Sequence, residues 1–167
     1  KPDKNGQGEF SIRDLLIASL RLRPDRLVIG EIRGAEALDL LQAMNTGHSG
    51  SMSTIHANSP VDALSRMETC AIMSGGNLPL NAIRMQVASA VDCVIHTMRL
   101  PDGSRKVVEI AEILPLENGE YRLSPLMQWK TESVAPDGSV SGRFILGAPP
   151  TFRYHAEVMH LELPSYA

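Results

Sequence analysis

The chain is predicted to be α/β, with parallel strands alternating with helices and an antiparallel β meander following them. Three observations carry this. A short β-branched run, Leu27 to Ile29, closes on Gly30 and Glu31, as a strand covered on both faces of a parallel sheet does. From Ala35 the apolar residues change to a helical period. After Val91, β-rich runs are joined through Asp102-Gly103 and Asn118-Gly119, which are hairpin signals. Strands and helices alternating at this length indicate layered α/β architecture.

Taken in order, residues 1 to 9 are polar and glycine-containing, hence a loop. Ser11 is a candidate N-cap, and Ile12, Leu15, Leu16, Leu20 and Leu22 form an apolar stripe behind it. Pro24 is expected to end that helix by pushing Arg23 out of the helical region. Ala35, Leu38, Leu41 and Met44 define the next helix, widened by Ala37 and Leu40 and stopped at Asn45 and Gly47. Ser51 to Ile55 reads as a strand of small residues. Ser59 and Pro60 then open a helix by an N-cap and a first-turn proline, and Gly75-Gly76 closes it. A further helix spans about Leu80 to Ala90, with Ile83, Val87 and Ala90 on one face. The meander follows as Cys93 to Leu100, Lys106 to Leu114 and Tyr121 to Trp129. Residues 130 to 142 read as loop, Arg143 to Leu146 as a short strand, and Tyr154 to Leu161 as a helical candidate.

Composition bounds the function. A chain of 167 residues that is 43% hydrophobic can bury one sizeable core. A formal charge of -3 offers no basic footprint, so no nucleic-acid partner is expected. Cys70 and Cys93 lie in apolar runs, which fits buried reduced thiols better than a disulfide scaffold. No apolar run is long enough to span a bilayer. The polar start at Lys1, without a Met, reads as a chain cut from a longer intracellular protein.

The chemistry concentrates between Arg23 and Asn58. Hydrolysis of a phosphoanhydride needs a carboxylate near the terminal phosphate to orient or activate water, with donors that answer to the phosphate charge. Glu31 stands at the C-terminal end of a strand, beyond which open α/β sheets bind their ligands. The alternative is a strand-end glutamate in solvent or paired with Arg33. His48 and His56 flank the following strand; a neutral imidazole there can donate to a phosphate oxygen or to Glu31. Isolated histidines more often cap loops, and a zinc site of both rings with Glu31 matches no compact metal spacing. Thr54 and Ser53 can contact phosphate or simply pack. His96, His155 and His160 have no partner pattern.

These residues carry a resemblance. LRLRPDRLVIGEIRGAEALDLLQAMNTGHSGSMSTIHANSPVDALSRME resembles the type II/IV secretion ATPase superfamily, and most of all the CpaF-like ATPases of tight-adherence pilus assembly. In that family VIGEIRG is an atypical Walker B motif with glycine before the glutamate, matched by Gly30 and Glu31. GHSGSMSTIHAN is the histidine box, matched by His48 and His56. The resemblance extends through LPLNAIRMQVASAVDCVIHTMRLPDGSRKVVEIAEI and more loosely into the tail.

The resemblance implies the C-terminal part of a RecA-like P-loop ATPase domain over residues 1 to 129, with residues 130 to 167 a partly irregular extension. It implies a homo-hexameric motor using ATP and Mg²⁺ at the cytoplasmic face of the inner membrane, working on a membrane platform protein. Glu31 would act on the lytic water, His56 would contact the γ-phosphate region and His48 would support the box. Gly30, Arg33 and Thr54 would line the nucleotide, with Arg33 tying Glu31 to a neighbour; Arg21 and Arg23 match family arginines of unassigned role. The GxxxxGK[ST] loop does not occur in these 167 residues, and neither does the family's aspartate box. The chain alone is therefore expected to be inactive. A conjugation or type IV secretion motor, and a non-catalytic docking module, are the other readings.

Overall fold

A computed structural model describes residues 8–152. Its elements are α1 (Ile12–Leu20), β1 (Val28–Ile29), α2 (Glu36–Asn45), β2 (Met52–Ser53), α3 (Pro60–Ile72), α4 (Leu80–Ala90), β3 (Cys93–Arg99), β4 (Arg105–Glu117), β5 (Glu120–Val134) and β6 (Val140–Leu146). The α/β class and the antiparallel meander stand as predicted. The described residues fall into two compact units. One holds those up to Val91 together with Pro115–Glu120; the other holds Asp92–Leu114 and those from Tyr121 onward.

In the first unit β1 and β2 pair in parallel, Val28 opposite Met52 and Ile29 opposite Ser53. The helices pack beside them around Leu40, Leu41, Ile83 and Val87, all 1% exposed or less. The caps explain where helices begin. Ser11 accepts from the Asp14 N–H while Asp14 reaches back to Ser11, a reciprocal capping box. Ser59 accepts from the Asp62 N–H, and Pro60 occupies the first turn of α3, where its missing N–H costs nothing.

Two local expectations are corrected here. The strand at Leu27–Ile29 is covered on one face only: Leu27 is buried, whereas Val28 is 72% exposed beside Met52, itself 58% exposed. On α1 only Leu16 of the apolar stripe is buried, because a single flank meets α2, where Arg13 pairs with Asp39 at 2.7 Å. The same helix stops at Leu20 with Arg21 as its C-cap, and Arg23, before Pro24, lies outside the right-handed helical region at a left-handed φ of 52°.

The second unit is a four-stranded sheet in the order β3-β4-β5-β6, a meander with β3/β4 and β5/β6 antiparallel. Asn118 and Gly119 both have positive φ, which a two-residue turn matching the strand twist requires. Residues 130 to 142, read as loop, instead complete β5 and open β6 around a second Asp-Gly turn at Asp137 and Gly138. Ala111, Ile113 and Leu126 form this unit's buried apolar core. Cys70 is buried, Cys93 half-buried, and both are free thiols whose pKa burial pushes up. Tyr154 to Leu161, His155 and His160 lie outside the described residues.

Candidate functional site

The site is built on the loop that leaves β1. Thr54, just beyond β2, holds this loop on both sides of Glu31: its hydroxyl donates to the Gly30 carbonyl at 2.5 Å, and its own carbonyl accepts the Ile32 N–H at 2.9 Å. Ile32 is 1% exposed and anchors the loop in the core. Glu31 is thus fixed between two main-chain bonds and a buried side chain.

Its carboxylate meets two cationic or potentially cationic groups. Arg33 donates to Oε2 through Nε at 2.6 Å and through Nη2 at 2.5 Å, and His56 Nε2 lies 2.9 Å from Oε1. The Arg33 guanidinium holds the Glu31 carboxyl below the usual carboxylate range; burial opposes this, and the charges of Arg33, His56 and Arg66 add to it. Arg33 is pushed up in return by the same contact. Exposure divides the three: Glu31 keeps 23% of its side-chain surface, Arg33 74% and His56 84%. The carboxylate is anchored, and its partners face solvent where an anion can reach them.

His48 is placed differently. Its ring Nδ1 lies 3.3 Å from the carbonyl of Ala43, which also accepts the His48 N–H at 3.1 Å, so the residue closes the end of α2. Its carbonyl accepts from the Ser51 hydroxyl, and that hydroxyl accepts the Leu27 N–H, which couples the turn to both strands. The structure therefore brings Glu31, Arg33, His56, Thr54 and Gly30 together and sets His48 under the turn that leads into β2. Ser53 donates to the Thr54 carbonyl at 3.4 Å.

Two residues join the site that motif reading passed over. Arg66 on α3 contributes charge towards Glu31. Glu36 at the start of α2 is 8% exposed and accepts the N–H groups of Arg33 at 2.7 Å and Gly34 at 3.0 Å through one oxygen, Oε1. Burial alone would push its pKa up, but the N–H groups of Arg33, Glu36 and Gly34 outweigh it and hold the carboxyl below its ordinary range. A glutamate in the first turn of a helix is ordinary in sequence; only its backward reach distinguishes it. No group of three or more His, Cys, Asp or Glu side chains able to hold a metal ion occurs among the described residues.

Comparison with known proteins bears on this geometry. A Mycobacterium tuberculosis protein named for conjugal transfer is 40% identical over 136 residues, covering 81% of this chain and 37% of its own length. The type IV secretion system protein VirB11 of Bartonella henselae is 37% identical over 111 residues, covering 64% of this chain and 31% of its own. Among solved structures, the VirB11 ATPase of the Brucella suis type IV secretion system, in complex with sulphate, superposes with a TM-score of 0.58 at 31% identity, over 62% of this chain and 32% of that one. The chain thus spans about a third of the length of these relatives. A family model described as type II/IV secretion system protein matches residues 3–134, and the chain belongs to that family.

Proposed function

We propose that this chain supplies the water-activating and phosphate-sensing half of an ATPase that powers a secretion machine. The observation that carries the reading is the Glu31 carboxylate clamped between Arg33 and His56 on a loop that Thr54 hydrogen-bonds at Gly30 and Ile32. A carboxylate held at low pKa is a weak base, so the clamped arrangement is a resting one. Arg33 and His56 face solvent and can transfer their donors to a terminal phosphate. Glu31 then loses its countercharges, gains basicity and orients the attacking water. Thr54 and Gly30 keep the loop in register, and His48 supports the turn into β2.

Arg33 and His56 fit a polyphosphate by charge and by the donors they present. Mg²⁺ bound with the nucleotide would neutralise phosphate charge. That the Brucella relative was solved with sulphate, a tetrahedral anion like phosphate, supports an anion site in this fold family. Assembly as a homo-hexamer at the cytoplasmic face of the inner membrane, against a platform protein, belongs to the same reading. No helix among the described residues is long and apolar enough to cross a membrane, which fits attachment through partners.

The machine served is the finer question. The wording of the histidine box favours a CpaF-like pilus motor. The relatives named for conjugal transfer and type IV secretion favour export through a type IV channel. Neighbouring genes for pilin and prepilin peptidase, or for mating-pair formation, separate the two.

The test is Glu31→Gln in the full-length protein that carries this chain. ATP binding should stay near wild type while turnover falls by roughly 10²–10⁴-fold, the usual worth of a general base. Unchanged turnover removes Glu31 from the chemistry. Residues 1–167 alone should hydrolyse ATP no faster than buffer does, because the phosphate-binding loop is not among them.

A further inference from the structure

Glu36 lies beside the site without touching Glu31. It is a carboxylate 8% exposed, held in its ionised form by main-chain N–H groups. Burying a charge is costly unless hydrogen bonds compensate, and here two of the three N–H groups that do so belong to the loop between Glu31 and α2, the third being Glu36's own. Oε1 takes the N–H of Arg33 at 2.7 Å and of Gly34 at 3.0 Å. The helix needs no such residue for capping alone: its N-cap, Ala35, has no side-chain cap bond, and a Ser or Asp there would serve.

What the contact fixes is the Arg33 backbone. The main chain of Arg33 is bound to Glu36 while its guanidinium is bound to Glu31. The loop is therefore pinned by Thr54 at Gly30 and Ile32, and by Glu36 at Arg33 and Gly34. Loss of the second pin frees the Arg33 Cα, and with it the length and direction of the Glu31–Arg33 clamp. We propose that Glu36 is a positioning residue for the hydrolytic step, aiming Arg33 and through it the Glu31 carboxylate. This rests on the reading of Glu31 given above.

The experiment uses full-length protein and compares Glu36→Ala, Glu36→Asp and Glu36→Gln with Glu31→Gln. Ala removes the acceptor, Asp keeps the charge but loses the reach, and Gln keeps an acceptor oxygen at the right length. Ala and Asp should lower kcat roughly 10- to 100-fold, as a small misplacement of a reacting group does, with the KM for ATP within about threefold of wild type. Gln should restore most of kcat. Glu31→Gln/Glu36→Ala should turn over no slower than Glu31→Gln alone, because residues acting through one another are not additive.

Wild-type kcat in Glu36→Asp would overturn the proposal, and so would a further loss in the double variant. Should Glu36→Ala fail to fold, the Asp and Gln pair decides alone. If Glu31→Gln itself turns over normally, the underlying site reading fails instead. If Glu31→Gln is dead while Glu36→Asp is unimpaired, only the positioning role does.

Discussion

At the scale of single residues, the site is governed by which cation holds Glu31. Because Arg33 keeps the carboxyl below its ordinary range in the resting enzyme, the acid limb of the kcat/KM profile, which reports the free enzyme, should lie below that of an unpaired glutamate. Replacing Arg33 with Met removes the largest cause of that depression. The limb should then move to higher pH, and a pH–rate series on both proteins checks it. Arg33→Lys should not restore the wild-type limb, since an ammonium cannot reproduce the two-nitrogen contact of the guanidinium. His56→Ala should slow hydrolysis while leaving the thermal midpoint within about 2 °C, because a side chain 84% exposed contributes little to folding. Equal losses of both would mark the imidazole as structural. Glu31, Arg33 and His56 were legible from sequence because each falls at a strand end or in a recognisable motif. Glu36 was not, since its backward reach depends on a loop conformation that no residue pattern encodes.

At the scale of elements, legibility followed local chemistry. Helices α3 and α4 were readable because Ser59, Pro60 and the glycines after Ile72 act within a few residues of themselves. Ser59→Ala should therefore cost about 1 kcal/mol, the ordinary worth of an N-cap, read as a lower urea midpoint at unchanged slope. Strand β5 beyond Trp129 was not readable. Its residues to Val134 are nearly all exposed, so no apolar alternation marks them, and the pairing of Thr131 with Gly142 and Val134 with Val140 makes them strand. Gly147 shows what that pairing demands. Its N–H bonds the Leu126 carbonyl, and a Cβ there would overlap the Pro125 carbonyl oxygen at 1.8 Å, main chain that cannot swing aside. Gly147→Ala should lower stability by about 1–3 kcal/mol, as overpacking does, with the loss visible in the midpoint of chemical unfolding.

At the scale of the whole molecule, the fold class was predictable because strand and helix periods alternate and then give way to hairpins. Which faces are covered was not, since coverage depends on segments far apart in sequence. One polar contact shows such a long-range tie inside the first unit. Arg84 on α4 donates to Glu68 on α3 at 2.8 Å and, from the other arm, to the Gly119 carbonyl at 2.8 Å and the Glu120 carboxylate at 2.9 Å. A single guanidinium thus joins two helices to the turn between β4 and β5. The two carboxylates differ in surroundings: the Glu68 side chain is 8% exposed and that of Glu120 75%. Solvent screens the exposed pair, whereas removing a buried carboxylate leaves its partner short of a countercharge. Glu68→Ala should therefore lower the unfolding midpoint at least ~threefold more than Glu120→Ala, because exposed ion pairs contribute little. Adding 1 M salt should shrink the Glu120 effect towards zero and leave most of the Glu68 effect in place. Equal, equally salt-sensitive losses would mean that Arg84 works as a surface charge and that the turn at Gly119 is held by something else.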